Sequence, residues 1–117
     1  MGNFDTTIVI KEEIKGDVLI LHLTGRLDAV SAPGAEHTVF EFINKGHKKL
    51  IFDFFAVDYL SSAGMRMLLS VTKKLKTLPG KLVICQLSTN VMDVLKMSGF
   101  DHVLELVPTL EEALQKF

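Results

Sequence analysis

The sequence predicts an α/β domain with a mixed β-sheet, an N-terminal antiparallel hairpin and about four helices. Two β-rich runs, residues 7–14 and 17–24, are separated only by Lys15-Gly16, a spacing typical of a hairpin. A continuous apolar run over residues 49–55 is typical of a central strand that is buried on both faces. Helical patterns then alternate with short apolar runs, which indicates right-handed parallel crossovers.

Helix start and stop residues delimit the first two helices. Ser31 is the expected N-cap of a helix that tolerates Pro33 in its first turn and ends at Gly46. The second helix is predicted to run from Ser62 to about Leu78, because Pro-Gly follows directly.

The remaining elements complete the order β-β-α-β-α-β-α-β-α. Residues 81–86 form the next strand, and Ser88 caps a third helix that stops at Gly99. Residues 102–107 are predicted to be the last strand. Thr109 and Glu112 have the spacing of a capping box, in which each satisfies the other's backbone N–H, so a final helix should reach Phe117. No linker or repeat interrupts this order, and we expect residues 1–117 to be one domain.

Composition limits the classes of partner. The 117 residues, 48% of them apolar, suffice for one core. A net charge of −1 provides no basic field for nucleic acid. The sequence shows neither a signal peptide nor the ~20 apolar residues that span a bilayer, so we expect a cytoplasmic protein without membrane contact. Cys85 lies in an apolar run and is expected to be a buried structural thiol.

The junction between the apolar strand and the second helix is the candidate functional site. Ser61 and Ser62 precede a helix whose first backbone N–H groups lack intrahelical partners and would bind a phosphate on serine. The simpler interpretation is that one of them only caps the helix, for ~1 kcal/mol. Residues 25–31 and 56–62 are expected to be loops at the carboxyl ends of strands, which would bring Asp28 close to Ser62. The simpler interpretation of Asp28 is a solvated loop carboxylate or a turn residue.

A helical projection at 3.6 residues per turn suggests which face a partner would meet. It places Arg66 on the same polar face as Ser62, within reach of a phosphate there. It also places Ala63 and Met67 beside that face, so we expect Met67 to be partly exposed. The first three turns of the helix, with Ser61 and Ala63, would then form a docking surface for a partner. The residues assigned to the core face are Met65, Leu68, Leu69, Val71, Thr72 and Leu75.

Other chemistries have weaker support in the sequence. Ser62-Ala63-Gly64 matches the second half of a hydrolase nucleophile elbow, and Asp93 and His102 follow in the order of that fold. Leu60, however, stands where the tight turn requires glycine. No histidine pairs with a second ligand at metal spacing, and no glycine-rich nucleotide loop or paired cysteine motif occurs, so we expect no metal and no cofactor.

Four segments together resemble bacterial anti-sigma factor antagonists of the STAS domain family. They are Leu23-Thr24-Gly25-Arg26-Leu27-Asp28, Ile51-Phe52-Asp53-Phe54, Val57-Asp58-Tyr59-Leu60-Ser61-Ser62-Ala63-Gly64-Met65 and Met97-Ser98-Gly99-Phe100. The match covers nearly the whole chain, and it implies a single STAS domain that is not an enzyme.

The resemblance also implies a mechanism and site residues. In this family the unphosphorylated antagonist binds an anti-sigma factor, often a serine kinase, and so frees a sigma factor. The kinase phosphorylates one serine, which breaks the complex, and a PP2C-type phosphatase restores it. Alignment on Gly64 places that serine at Ser62, with Ser61 where Asp is common and Ala63 where Ser or Thr is common. Asp28 would belong to the kinase-facing surface.

The same resemblance is compatible with a second function, which involves no phosphorylation switch. The chain would then be a STAS scaffold or accessory subunit, in a stressosome-like or lipid-transport complex, with Ser62 as a structural cap.

Overall fold

Five strands form one sheet, in the order β1-β2-β3-β4-β5, in the computed structural model of the protein, which describes residues 8–117. β1 and β2 are antiparallel, and all other neighbours are parallel. The predicted element order and the mixed sheet with its N-terminal hairpin are confirmed. The strands are β1 (Ile8–Lys15), β2 (Val18–Leu27), β3 (Lys49–Leu60), β4 (Lys81–Cys85) and β5 (Glu105–Val107), and the helices are α1 (Ala32–Asn44), α2 (Ser62–Lys76), α3 (Thr89–Met97) and α4 (Leu110–Gln115).

The two faces of the sheet are covered unequally. Helices α1, α2 and α3 pack on one face, where their apolar sides join alternate residues of the strands in the larger core cluster. On the other face α4 alone covers a smaller cluster, which includes Ile20, Ile51 and the buried thiol of Cys85. β3 thus has core on both faces, as its continuous apolar sequence predicts. Burial raises the pKa of Cys85 to about 12, as expected for a structural thiol.

β2 and β3 are longer than predicted, and most of the two expected loops is strand. Residues 24–27 pair with residues 56–60 in parallel register, with irregularities that resemble β-bulges between His22 and Thr24 and between Gly25 and Arg26. Val57 and Leu60 point into the core, so the extension is held by burial as well as by the ladder. Only residues 28–31 and Ser61 remain outside regular structure at the ends of these strands.

Three smaller differences concern element ends. Gly99 adopts a left-handed conformation at the end of α3, as expected, but residues 100–102 then wind into a 3₁₀ turn. The last strand therefore begins at Glu105 instead of residue 102. Thr109 accepts a hydrogen bond from the Glu112 N–H as predicted, whereas the Glu112 carboxylate bonds the Thr109 hydroxyl and not its backbone N–H. α4 ends at Gln115, and Thr7 of the predicted first strand lies outside the described residues.

Residues 8–117 contain neither a candidate membrane-spanning helix nor a candidate metal-binding cluster. None of the helices there combines the length and apolar composition that crossing a bilayer requires. Nor does this range contain three His, Cys, Asp or Glu side chains arranged to hold a metal ion.

Candidate functional site around the start of α2

The ends of β2 and β3 bring the two candidate segments together. The Ser61 N–H donates a hydrogen bond to the Leu27 carbonyl at 3.0 Å. Asp28 directly follows Leu27, and Ser62 directly follows Ser61. The prediction that Asp28 and Ser62 are neighbours in space is therefore confirmed.

The two serines have different roles at the start of α2. Ser61 is the N-cap, and its half-buried Oγ accepts a hydrogen bond from the Gly64 N–H at 3.2 Å. Ser62 is the first residue of the helix and is exposed. Within residues 8–117 the Ser62 hydroxyl makes no hydrogen bond to another side chain or to the backbone. Ser61 thus caps the helix, and the hydroxyl of Ser62 has no part in the cap.

Gly64 fixes the position of this helix start. A Cβ atom at Gly64 would lie 2.6 Å from the Leu27 carbonyl oxygen and 2.7 Å from the Leu60 Cδ1. Only a residue without a side chain allows the first turn of α2 to approach the ends of both strands so closely.

Met67 is buried, and the prediction that it belongs to an exposed docking surface is wrong. Its side chain is 2% exposed and lies in the larger core cluster. The projection treated Gly64 as neutral, although Gly64 is the point at which the helix touches the strands. Once Gly64 faces inward, Met67 lies on the buried side and Met65 moves to its edge, where it is half-buried. The buried residues of α2 are Gly64, Met67, Leu68, Val71, Thr72 and Leu75.

Asp28 organises the loop between β2 and α1. Its Oδ1 accepts hydrogen bonds from the N–H groups of Val30 and Ser31, both at 3.0 Å. The buried Ser31 hydroxyl accepts from the Asp28 N–H at 3.0 Å and donates to the Arg26 carbonyl at 2.6 Å. Ser31 occupies the predicted N-cap position but makes no capping bond with its side chain. The hydrogen bond from the Ser31 N–H is the main reason that the pKa of Asp28 is lowered. The Val30 N–H and the positive charge of Arg26 lower it further, although desolvation of the carboxylate opposes the shift.

Arg26 and Tyr59 add a surface feature that the sequence did not indicate. They are direct partners across β2 and β3, and the Arg26 guanidinium lies 4.2 Å from the centre of the Tyr59 ring. The Arg26 Nε is 3.6 Å from Asp28 Oδ2, which holds the stack beside the Asp28 loop. Detecting this pair required the parallel register, which no local pattern reveals.

Two other candidate residues lie in the first turns of α2. Ala63 is half-buried, and Arg66 is exposed one turn after Ser62. The first turn of the helix contains no acidic residue. No carboxylate within residues 8–117 forms an ion pair with Arg66. The start of α2 therefore exposes the positive end of the helix and the charge of Arg66, with the carboxylate of Asp28 on the adjacent loop.

The hydrolase triad is not assembled. Asp93 lies on α3, and His102 is 85% exposed with its Nε2 3.8 Å from Asp101. Among the described residues no hydrogen bond joins either side chain to Ser62. A nucleophile needs a base within hydrogen-bond reach, and this serine has none here.

A second polar cluster, also missed in the sequence, crosses three strands on the face covered by α4. The His22 Nδ1 lies 2.7 Å from Asp53 Oδ2, and its Nε2 lies 2.8 Å from Glu13 Oε1. Asp53 is 8% exposed and also accepts from Gln86 Nε2 at 2.8 Å. Burial of the ring opposes protonation, but the hydrogen bonds to Glu13 and Asp53 outweigh it and raise the pKa of His22. His22 is thus a hydrogen-bonded structural histidine, as its isolation in the sequence suggests.

Comparison with known proteins agrees with this architecture. Residues 9–113 match the family model described as the STAS domain. BtrV of Bordetella bronchiseptica, which bears the name of an anti-sigma factor antagonist, is 33% identical over 100 residues, or 86% of each chain.

Two solved proteins share the fold. The crystal structure of an anti-sigma factor antagonist from Mycobacterium paratuberculosis superposes with a TM-score of 0.85 at 25% identity, over 99% of this chain and 97% of that chain. The unphosphorylated form of SpoIIAA, another anti-sigma factor antagonist, superposes with a TM-score of 0.78 at 21% identity, over 92% and 95% of the two chains. SpoIIAA has also been solved in its phosphorylated form, with a TM-score of 0.69 at 20% identity.

These comparisons support a regulatory binding protein and not a hydrolase. The match over residues 9–113 and the 33% identity to BtrV show that this chain belongs to the STAS domain family.

Proposed function

We propose that this chain is an anti-sigma factor antagonist whose binding is switched off by phosphorylation of Ser62. In its unphosphorylated form it would bind an anti-sigma factor that is also a serine kinase, in the cytoplasm, and so release a sigma factor. A PP2C-type phosphatase would reverse the modification. The relatives that carry the name anti-sigma factor antagonist support this class of function.

The proposal depends on one observation: the hydroxyl groups of Ser61 and Ser62 differ in exposure and in hydrogen bonding. A kinase requires an accessible hydroxyl that is not committed to the fold. Ser62 is exposed and free of hydrogen bonds within the described residues, whereas Ser61 is half-buried and caps the helix. This difference favours Ser62 over Ser61 as the phosphorylated residue.

The surroundings of Ser62 suit a phosphate without any refolding. Phosphorylation adds about −1.5 to −2 charges at pH 7. The positive end of the 15-residue helix α2, whose first turn contains no acid, stabilises such a charge in the free protein. Arg66, one turn further along the same face, is available to pair with it.

The same charge would oppose docking. A partner that packs on the start of α2 removes this surface from water, and an unmatched phosphate there is costly to desolvate. Asp28 and the stack of Arg26 on Tyr59 flank the serine and complete the proposed partner surface. The switch would therefore act on the dissociation rate of the complex, while the fold stays unchanged.

The decisive experiment maps phosphate on the protein isolated from its own cells, by intact mass followed by peptide mass spectrometry. We expect one phosphate on Ser62. In parallel, calorimetry measures binding of the kinase to the parent and to the variants Ser62→Ala and Ser62→Asp. Ser62→Ala should bind like the parent and resist phosphorylation, and Ser62→Asp should bind more weakly because it carries charge into the interface.

Ser61→Ala is the matched control. It should lose stability because the cap is removed, yet still be phosphorylated. Stoichiometric phosphorylation of Ser62→Ala would transfer the switch to Ser61. If no phosphate is found in any growth state and both Ser62 variants bind like the parent, the scaffold function replaces the switch.

A further inference from the structure

β1 forms an unpaired edge of the sheet. It pairs only with β2, which lies on one side of it. Within residues 8–117 no other strand lies on its outer side, and no backbone hydrogen bond from a loop or a helix reaches it there. An outer strand presents backbone N–H and C=O groups to solvent, so this edge is able to accept a further strand.

The side chains of β1 alternate between the two faces of the sheet. Ile10 packs against the larger core cluster, so Ile10, Glu12 and Ile14 lie on the face that α1, α2 and α3 cover. Lys11 and Glu13 lie on the opposite face, which α4 covers only in part. Ile14 is 56% exposed although it lies on the core face. Apolar area thus remains open on an edge that is otherwise charged.

One antiparallel register makes β1 complementary to a second copy of itself. Side chains directly opposite in an antiparallel pair point to the same face, with Cβ atoms about 4.5 to 5.5 Å apart. When a twofold axis passes through Glu12, Lys11 of each copy lies opposite Glu13 of the other. Ile10 of each copy then lies opposite Ile14 on the helix-covered face. Both pairs occur twice, so two ionic and two apolar contacts favour this register.

The neighbouring registers lack this complementarity. An axis through Lys11 brings two lysines together and sets Ile10 opposite Glu12. An axis through Glu13 brings two glutamates together and sets Lys11 opposite Lys15. Registers shifted by an odd number of positions would pair side chains that point to different faces, so they are excluded. The order of side chains along β1 therefore selects one pairing.

The charged groups are available for this pairing. Lys11 is exposed and forms no ion pair with another residue of the described chain. The Oε1 atom of Glu13 bonds His22, whereas its Oε2 atom lies 4.0 Å from the Nζ of Lys15 and is open to a closer cation.

We propose that two copies of this chain associate through β1, as antiparallel strands with Glu12 on the twofold axis, which joins their two sheets into one. The pairing uses the β1 edge of both copies, so the assembly closes at two chains. It leaves the start of α2 free, because β2 lies between β1 and β3. The dimer does not depend on the proposed function.

Edge protection is the alternative role of the charges on β1. Charged side chains on an edge strand discourage pairing between copies of a chain. That role requires no particular order of charges, and the exposed Ile14 works against it. The two roles make opposite predictions about self-association.

Sedimentation velocity of the full chain measures self-association from micromolar to millimolar concentration. We expect a reversible equilibrium between monomer and dimer. Amide hydrogen exchange should slow in β1 as the concentration rises, because its outer N–H groups become bonded. Exchange in β5, the other edge strand, should not change.

Charge reversal tests the register. Lys11→Glu should raise the dissociation constant of the dimer about tenfold, because it turns two attractive pairs into repulsive ones. Glu13→Lys should have the same effect, although it also loses the hydrogen bond to His22. An equimolar mixture of the two variants should regain dimerisation, since the two changed residues face each other with opposite charges. Lys73→Glu and Glu111→Lys change exposed residues on α2 and α4 in the same way and should dimerise like the parent, alone and mixed.

Glu12→Gln provides a gain that misfolding cannot produce. The two Glu12 side chains meet at the axis, and like charges directly opposite weaken a strand pair. Removal of both charges should lower the dissociation constant about threefold or more.

The proposal is overturned if the parent and Glu12→Gln both stay monomeric over the whole concentration range, and the charges of β1 then serve edge protection. It is also overturned if Lys11→Glu dimerises like the parent, if the mixture associates no better than its components, or if exchange slows elsewhere than in β1. Dimerisation without phosphate on Ser62 would retain the dimer and reject the switch. Phosphate on Ser62 in a monomeric chain would do the reverse.

Discussion

Gly34 and Gly64 provide a matched pair that tests how tightly α2 is held. Each is the third residue of its helix, Gly34 in α1 and Gly64 in α2. Replacing either with alanine should bring the same gain in helix propensity, up to about 1 kcal/mol. Their surroundings differ: a Cβ at Gly34 meets no atom within 4 Å, whereas one at Gly64 would lie 2.6 Å from the Leu27 carbonyl oxygen.

The expected effects have opposite signs. Gly34→Ala should raise the free energy of unfolding by about 0.5 to 1 kcal/mol. In Gly64→Ala the helix must move away from a backbone atom that cannot yield easily, and the 3.0 Å hydrogen bond from the Ser61 N–H to Leu27 is weakened with it. Overpacking and the damaged hydrogen bond should exceed the propensity gain and lower the free energy of unfolding by about 1 to 3 kcal/mol.

Urea unfolding followed by far-ultraviolet circular dichroism measures both variants under one set of conditions. The slope of the transition should match that of the parent, because the exposed surface of the unfolded chain is unchanged. Equal stability of Gly64→Ala and Gly34→Ala would refute the reasoning, since it would mean that the start of α2 can shift at no cost.

Three further predictions concern single side chains. Met67→Ala should lower the free energy of unfolding by about 2 to 5 kcal/mol, because the side chain is 2% exposed; a loss below 0.5 kcal/mol in the same urea assay would contradict its burial. Ser61→Ala should cost about 0.5 to 2 kcal/mol as a lost cap, and Ser62→Ala less than 0.5 kcal/mol, in thermal or urea unfolding. The raised pKa of His22 means that the folded state binds the proton more tightly, so its stabilisation is complete below the unfolded pKa and is lost as pH rises through the folded pKa. His22→Gln should therefore lose more stability relative to the parent at pH 5.5 than at pH 9, and a constant difference across that range would contradict the ion-pair geometry.

Local patterns were sufficient for much of the fold. The hairpin at Lys15-Gly16, the cap at Ser88 and the stop at Gly99 depend on residues close together in sequence, and each occurs where its residue types favour it. The cap of α2 was narrowed only to Ser61 or Ser62, and it is Ser61. The exposed Ser62 at the first position of α2 was predicted for the same reason.

Features that depend on register were not predictable. The continuation of β3 to Leu60 requires the partner residues of β2, because Asp58 interrupts the apolar run after Phe55 and two serines follow directly. Helix orientation was the other difficulty. The projection of α2 counted apolar side chains, whereas the closest contact is made by Gly64, which has none, and this rotated Met67 into the core.

Leu27 joins the starts of two helices to one point of the sheet. The Leu27 carbonyl accepts a hydrogen bond from the Ser61 N–H and lies close to Gly64. The side chain of the next residue, Asp28, accepts a hydrogen bond from the Ser31 N–H in the loop before α1. Under the proposed function, a protein that docks here would meet a backbone already held by these hydrogen bonds, so association would require little ordering of the chain. The free energy of binding would then depend on the chemical groups displayed on that surface, and a phosphate on Ser62 would change it directly.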